Sequence, residues 1–81
     1  MNSWTVYILR CADESLYTGI TTDLERRLAQ HNAGTAAKYT RAKGPCDLVW
    51  SKNGFTESSA KSEEYRIKQL TKAKKEDLLR I

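Results

Sequence analysis

A predicted helix early in the chain carries two polar side chains on the face that should be buried. Counting from Leu24 at spacings of three, four and seven residues gives Leu24, Arg27, Leu28 and His31 on one helical face. A permanent cation and an imidazole therefore point toward the interior together with two leucines. Burying such groups is costly unless they meet an opposite charge or several hydrogen-bond partners. These positions are thus candidates for ion pairing or for a functional site.

A second charged group lies on the inner face of a later predicted helix. Ala60, Ile67 and Leu70 define that face, and Glu64 falls four residues after the first of them and three before the second. Glu63 lies at the other margin of the same face, so periodicity alone does not choose between the two glutamates. A carboxylate in this position needs a cation, a metal ion or several donors.

The residues alone leave structural alternatives open. Arg27 and Glu64 could form a buried ion pair that serves only the fold, or the charges could reach solvent from the edges of their helical faces. Other candidate site residues have ordinary structural explanations as well: Tyr7 and Tyr17 as core aromatics with their hydroxyls at the rim, His31 as a helix C-terminal histidine, and Gly19 as a strand-end glycine.

The elements that would position these groups follow in the order β-β-α-β-α-α, which predicts an α/β (α+β) fold with a small, mainly antiparallel three-stranded sheet flanked by helices. The first predicted strand is apolar on both alternating faces, which is typical of a strand covered on both sides. The pattern predicts strands over residues 4–11, 15–20 and 47–52, and helices over 23–32, from Thr56 or Ser58 to 70, and over 74–80.

Local signals mark the ends of these elements. Thr22 and Glu25 have the spacing of a capping box at the start of the first helix, and Gly34 is the expected stop. Residues 35–45 mix small, basic and turn-forming side chains, which predicts a surface loop. Asn53 and Gly54 are expected to end the third strand.

Composition bounds the class of protein. The chain has 81 residues, of which 40% are hydrophobic and 30% charged, so we expect one globular domain over residues 1–81. The sequence shows neither a signal peptide nor a membrane-spanning run, which predicts a cytoplasmic protein with no membrane association. Cys11 and Cys46 are isolated and are expected to be reduced, and their spacing does not favour a zinc site. The net charge is +4, and the basic excess lies after Gly34, which is compatible with a polyanionic partner.

Several short motifs along the chain resemble those of the GIY-YIG nuclease superfamily. Thr5-Val6-Tyr7 and Tyr17-Thr18-Gly19 correspond to the two name-giving tripeptides, and Arg27 follows Gly19 by eight residues within "DLERRL". The later helix repeats the family spacing of an alanine, a glutamate four residues on and a hydrophobic-lysine pair. This resemblance covers residues 4–70, selects Glu64 over Glu63, and is strongest with small stand-alone bacterial members whose role is poorly defined.

The resemblance implies a metal-dependent endonuclease that hydrolyses DNA phosphodiester bonds without strong sequence specificity. Glu64 would bind a single Mg²⁺ or Mn²⁺ ion, Arg27 would face the scissile phosphate, and Tyr7 or Tyr17 would be the base, with His31 sharing that role or holding the phosphate. DNA contacts are expected from Gly19, Lys38, Arg41 and Lys68. More distant relatives in excision repair and in branched-DNA resolution suggest damaged, branched or single-stranded DNA as the substrate.

The chain departs from the family pattern in two functional positions. Ile20 replaces a lysine found in several relatives, and the C-terminal asparagine of repair and homing relatives has no counterpart after Leu70. A second hypothesis is therefore a nucleic-acid-binding module with weak or no catalysis. A third is a domain that binds an unidentified protein partner, in which Arg27 and Glu64 are only a buried pair.

Overall fold

A computed structural model describes residues 3–35 and 42–80. Within them the element order is the predicted one: β1 (Trp4–Cys11), β2 (Leu16–Thr21), α1 (Leu24–Asn32), β3 (Cys46–Phe55), α2 (Glu57–Lys68) and α3 (Lys72–Leu79). None of these helices is long and apolar enough to cross a membrane. Part of the predicted surface loop, including Lys38 and Arg41, lies outside the described residues.

The central strand of the sheet is β1, which pairs antiparallel with β2 on one side and β3 on the other. Its residues 6–9 are all buried. Val6 and Ile8 pack with α2 on one face of the sheet, whereas Tyr7 and Leu9 pack on the other face, against α1. Because both faces are covered, the continuous apolar run of β1 is explained, and the predicted α+β architecture is confirmed.

The N-terminus of α1 differs from the prediction. The N-cap is Asp23, whose carboxylate accepts a hydrogen bond from the Arg26 backbone N–H at 3.1 Å. The hydroxyl of Thr21 in turn accepts from the Asp23 N–H at 3.0 Å. The predicted capping box of Thr22 and Glu25 is therefore wrong, because a carboxylate one residue later already binds the free amide of the first turn.

Helix α1 ends at Asn32, and Gly34, the predicted stop, lies two residues further on. This residue has φ of 78°, a conformation that glycine adopts without a steric penalty. The Gly34 N–H donates to the His31 carbonyl at 3.1 Å, and the Thr35 N–H donates to the Gln30 carbonyl at 3.0 Å. These two bonds form a Schellman motif, which holds the last turn containing His31 in place.

Strand β3 is longer than predicted, because Asn53 and Gly54 lie inside it rather than at its end. The register with β1 shifts between Lys52 and Phe55, so β3 contains one extra residue there. Gly54 has φ of 90°, which suits a bulge. The Asn-Gly pair thus bends the strand instead of terminating it.

The two cysteines are free and buried in the core, on the ends of β1 and β3 that pair with each other. The Cys46 thiol donates to the sulfur of Cys11 over an Sγ–Sγ distance of 3.3 Å. Burial raises the pKa of Cys46 to about 12, and its contact with Cys11 adds to the rise. This thiol is therefore protonated at neutral pH and acts as a small apolar group in the core.

One buried hydroxyl of the sheet leads to a stability prediction. Thr18 is 3% exposed, and its Oγ1 has no hydrogen-bond partner among the residues that the structure describes. Because an unsatisfied buried hydroxyl is destabilising, we expect Thr18→Val to raise the free energy of unfolding by about 1 kcal/mol. Urea unfolding measures this as a higher midpoint at unchanged slope.

The matched control for this substitution is Thr21→Val. The Thr21 side chain is also buried, but its hydroxyl accepts a hydrogen bond from Asp23 at the start of α1. We expect this variant to lower the unfolding midpoint, since it leaves the Asp23 N–H without that acceptor. A lower midpoint for Thr18→Val as well would contradict the assignment of an unsatisfied hydroxyl.

Candidate active site

A hollow of about 210 Å³ lies where the edge strand β2 passes between α1 and α2. The predicted catalytic residues all contribute to its lining, although they come from four different elements. The lining residues are Tyr7, Tyr17, Gly19, Ile20, Arg27, His31 and Glu64.

The arrangement follows from strand register and helical spacing. Tyr7 on β1 is the direct partner of Gly19 on β2, so the phenol extends over the glycine. Arg27 and His31 are one helical turn apart on α1, which brings both onto the face directed at the sheet. Glu64 approaches from α2, on the opposite side of β2.

Tyr7 and His31 form the buried part of the site. The Tyr7 hydroxyl lies 2.8 Å from Nε2 of His31, and both residues are 2% exposed. Burial lowers the pKa of His31 below its usual value, and the nearby Arg27 cation lowers it further. The imidazole is therefore neutral at pH 7, and with its proton on Nδ1 it accepts the hydrogen bond from the Tyr7 hydroxyl. The Tyr17 ring meets the imidazole edge-on at a centroid distance of 5.1 Å.

Both charged groups of the site, Arg27 and Glu64, affect the pKa of the Tyr7 hydroxyl. Burial raises the pKa of Tyr7 well above its ordinary value, and Tyr17 adds to the rise. Arg27 lowers the pKa and Glu64 raises it. The phenol is thus protonated at neutral pH, and a cation and a carboxylate both act on it from different helices.

The alternative of a buried Arg27–Glu64 ion pair is wrong. Among residues 3–35 and 42–80, the ion-pair partner of Glu64 is Lys68, at 3.2 Å. The Arg27 guanidinium instead donates to the Gln30 side chain at 3.4 Å. Arg27 and Glu64 border the same hollow from α1 and α2 without closing it, so both can face a bound group.

The two neighbouring glutamates of α2 face different ways. Glu63 pairs with Arg66 at 2.6 Å, and this contact lowers the pKa of Glu63, with a smaller contribution from Lys52 of β3. Its side of the helix is therefore the one toward β3. Glu64, on the other side, borders the hollow, and it is the glutamate that the family spacing selects.

Comparison with known proteins shows to which family the chain belongs. Residues 3–77 match the GIY-YIG catalytic domain. The chain belongs to the GIY-YIG family. The predicted family membership is confirmed over almost the whole chain.

The relatives of this GIY-YIG chain include many small proteins of similar length. It is 53% identical over 79 residues to a UPF0213 protein of Cronobacter sakazakii, covering 98% of this chain and 83% of the relative. It is 52% identical to the UPF0213 protein YhbQ of Escherichia coli, covering 98% of this chain and 79% of that one. These names assign no activity.

Two solved structures share the fold of this GIY-YIG domain. The solution NMR structure of the UPF0213 protein BH0048 from Bacillus halodurans matches with a TM-score of 0.61 at 46% identity, covering 94% of this chain and 81% of that one. The solution NMR structure of the protein EF2693 from E. faecalis matches with a TM-score of 0.65 at 41% identity, covering 99% and 85%.

The donor set of the hollow fits a hydrated Mg²⁺ or Mn²⁺ ion. Among the described residues, no group of three or more His, Cys, Asp or Glu side chains could hold a metal ion. The hollow does contain one carboxylate, that of Glu64, together with phenol oxygens. Mg²⁺ commonly keeps several waters and binds through one or two carboxylates and substrate phosphates. Glu64 is therefore the residue of this GIY-YIG domain that would hold such an ion.

A second hollow of about 290 Å³ lies beside the first, and Arg27 lines both. The sequence had not singled out this feature, although Gln30 follows Arg27 by three residues on the same helical face. The second hollow is polar in character and lies at the start of α1. Its lining residues are Thr21, Thr22, Asp23, Arg26, Arg27 and Gln30.

The residues predicted to contact nucleic acid lie in different places relative to the hollow, and two of them are outside the described residues. Lys68 lies one turn from Glu64 on α2, beside the hollow. Lys38 and Arg41 lie outside the described residues. The space above Gly19, where substrate approach was expected, is filled by the end of the Tyr7 side chain: a Cβ on Gly19 would lie 2.5 Å from the Tyr7 oxygen and 2.6 Å from Cζ. The glycine thus makes room for Tyr7.

This close approach predicts a large effect of Gly19→Ala. The Tyr7 ring is buried and cannot move aside without losing its contact with His31. We expect the free energy of unfolding to fall by about 1–3 kcal/mol, as for other overpacked cores. Urea unfolding at neutral pH measures the change.

The control for Gly19→Ala is the same substitution in a Tyr7→Leu background. Leucine lacks the ring atoms that the added methyl group would meet, so the penalty should shrink there. A double-mutant cycle measures this coupling. An equal penalty in both backgrounds would show that Tyr7 is not the reason for the glycine.

Proposed function

We propose that this GIY-YIG domain is a metal-dependent endonuclease that hydrolyses DNA phosphodiester bonds without strong sequence specificity. The observation that supports this proposal most is that one hollow is bordered by a guanidinium, a carboxylate, two phenols and an imidazole. Hydrolysis of a phosphodiester requires charge stabilisation at the phosphate and a group that accepts the proton of the attacking water. The hollow holds candidates for both tasks.

Arg27 is the residue we assign to the phosphate. Its guanidinium borders the hollow and has forked donors that match phosphate oxygens. Its hydrogen bond to Gln30 is long at 3.4 Å, so its donors can turn toward a bound phosphate at small cost. In this position the cation would stabilise the negative charge that builds up in the transition state.

The Tyr7–His31 pair is the proton acceptor that we favour. A phenolate at Tyr7 is disfavoured, because burial raises the pKa of this hydroxyl. The hydrogen bond to His31 offers another route: the Tyr7 oxygen accepts the proton of the attacking water while its own proton passes to Nε2. Tyr17, in edge contact with the same imidazole, would orient the water or the phosphate.

Glu64 is the residue we assign to a Mg²⁺ or Mn²⁺ ion. When bound, this ion would supply positive charge at the phosphate and increase the acidity of water. The Lys68 ammonium lies 3.2 Å from the Glu64 carboxylate and helps to hold it at the rim of the hollow.

A cleavage assay tests the proposal. Purified protein is incubated at low salt with labelled duplex, branched and single-stranded DNA in the presence of Mg²⁺ or Mn²⁺, and parallel samples contain a chelator. We expect cleavage of at least one substrate that the chelator abolishes. Binding of DNA with no cleavage under any of these conditions would overturn the enzymatic proposal.

The second candidate is a nucleic-acid-binding module with weak or no catalysis. The observation that favours it is Ile20, which lines the hollow at a position where several relatives carry a lysine. An apolar side chain there removes one cation from the phosphate site. Ile20→Lys should then increase cleavage if the missing cation limits the rate, and the same assay detects this change.

A further inference from the structure

Tyr65 of α2 has no role in the proposed chemistry and is unusually exposed. Its side chain is 69% exposed, compared with 38% for Leu48, the other large exposed hydrophobic residue among those described. The preceding residue is Glu64, which borders the hollow. A large aromatic ring directed into solvent beside a candidate active site is a candidate binding surface.

Helical spacing shows on which side of α2 this ring lies. Successive residues are rotated by about 100° around a helix axis. With the buried Ala60 and Ile67 taken as the inner face, Glu64 lies about 50° to one side, and Glu63 lies about as far to the other. Tyr65 lies farther out on the Glu64 side, about 150° from the inner face, so its ring is directed into solvent beyond Glu64 and away from β3.

Two lysines occupy the same flank between Glu64 and Tyr65. Lys61 and Lys68 are four residues before and three residues after Tyr65, which makes them its neighbours on the helix surface. Both are exposed, and in the part of the chain that the structure describes their ion pairs are the (i, i+4) contacts with Glu57 and Glu64. Such exposed pairs are weak and easily exchanged for contacts with phosphates. We name Lys61, Tyr65 and Lys68 the outer flank of α2.

We propose that the outer flank binds single-stranded DNA, with an unpaired base stacked on the Tyr65 ring and the neighbouring phosphates at the two lysines. The proposal rests on the nuclease function proposed above and names its preferred substrate class. Nucleic acid is the partner that matches both features of this surface, since it carries flat aromatic faces and regularly spaced negative charges. A strand lying along the flank would continue into the hollow beside Glu64.

The geometry favours an unpaired base over a duplex. The faces of bases in a duplex are covered by their stacked neighbours, so an aromatic side chain reaches them only by unstacking them. In a single strand the faces are free, and stacking on aromatic side chains tolerates any base sequence. This agrees with the weak sequence specificity of the proposed function.

The test measures binding without cleavage, in the presence of a chelator and at low salt. Fluorescence anisotropy gives the affinities of the wild type and Tyr65→Ala for three labelled oligonucleotides of equal length: a single strand, a duplex, and a single strand with consecutive abasic sites at its centre. Tyr65→Phe is the conservative variant. Leu48→Ala is the control for removing an exposed hydrophobic side chain elsewhere on the surface.

We expect Tyr65→Ala to weaken binding of the intact single strand by about tenfold or more, the range for loss of one stacked base. Binding of the duplex and of the abasic strand should change less than about twofold. Tyr65→Phe and Leu48→Ala should bind like the wild type. An equal loss with all three oligonucleotides, or no loss with the single strand, would overturn the stacking proposal.

The outcomes separate this proposal from the nuclease proposal. If the wild type cleaves DNA but Tyr65→Ala keeps full affinity for the single strand, only the stacking contact fails. If the wild type binds single strands through Tyr65 but cleaves nothing with either metal, the nuclease proposal fails and the binding surface stands. If the wild type binds none of the oligonucleotides at low salt and also cleaves nothing with either metal, both fail.

Discussion

Replacing Glu64 by glutamine is expected to reduce metal-dependent cleavage by about a hundredfold or more while leaving the domain folded. Glutamine keeps the size of the side chain but lacks the charge that would hold a divalent cation. A metal ion at the phosphate contributes several kcal/mol to transition-state stabilisation, and each 1.36 kcal/mol is a factor of ten in rate. Single-turnover cleavage at saturating Mg²⁺ or Mn²⁺ measures the loss.

The chain contains a closely matched control for this experiment in Glu63→Gln. The two glutamates are adjacent on α2, and their side chains are similarly exposed, at 20% and 23% for Glu63 and Glu64. Glu63 makes the shorter ion pair, with Arg66 on the side of β3. We therefore expect Glu63→Gln to affect stability at least as much as Glu64→Gln but to retain cleavage.

A direct measurement of metal binding makes the test independent of activity. Mn²⁺ is paramagnetic, so titrating it into the isotope-labelled domain should broaden the NMR signals of residues lining the hollow in the wild type. The broadening should be lost in Glu64→Gln and retained in Glu63→Gln. Equal broadening in Glu64→Gln and the wild type would contradict the assignment of Glu64 as the metal-binding residue.

Periodicity predicted the helices and strands well because each of them buries a face that can be read from the spacing of its apolar residues. The unbroken apolar run of β1 implies cover on both faces, and α1 and α2 provide that cover. The face of α1 that carries Leu24 and Leu28 also had to carry Arg27 and His31, since all four share one helical stripe. The position of the site between two helices and a strand was therefore accessible from the pattern together with the family resemblance.

Features that depend on one or two hydrogen bonds, such as a helix cap or a bulge, could not be predicted from periodicity or from the family resemblance. Both Thr22 and Asp23 have side chains suited to an N-cap. Which of them caps α1 depended on where β2 ends. The Asn-Gly pair of β3 is as compatible with a bulge as with a turn, and its pairing with β1 decided the outcome. Local sequence does not contain that tertiary information.

The relation between Arg27 and Glu64 is the clearest example of this limit. Helical patterns placed both charges on inward faces, and an ion pair was the simplest way to satisfy them. The structure satisfies them separately, through Gln30 and Lys68, because β2 and the hollow lie between the two helices. A pattern gives the direction of a side chain, whereas the separation of two charges follows from how the helices pack.

Because Arg27 and Glu64 are separate, we expect Arg27→Ala to have a small effect on stability, whereas a buried ion pair would predict a large one. Breaking a buried pair leaves an uncompensated charge and costs about 3–5 kcal/mol. Here we expect the free energy of unfolding to change by less than about 1 kcal/mol, because the side-chain hydrogen bond that Arg27 makes within residues 3–35 and 42–80 is the long one to Gln30. Cleavage should nevertheless fall by about a hundredfold or more, as when one preorganised transition-state donor is removed.

Two further variants and an NMR titration distinguish a phosphate contact from a structural role. Arg26→Ala removes the adjacent, exposed cation on the same helix and should reduce cleavage far less, while Arg27→Lys should recover part of the activity because it keeps the charge without the forked donors. In the folded Arg27→Ala variant the pKa of His31 should rise, since the Arg27 cation lowers it in the wild type. An unfolded Arg27→Ala variant would indicate a structural role for Arg27, and an unchanged His31 titration would mean that the Arg27 cation does not act on His31.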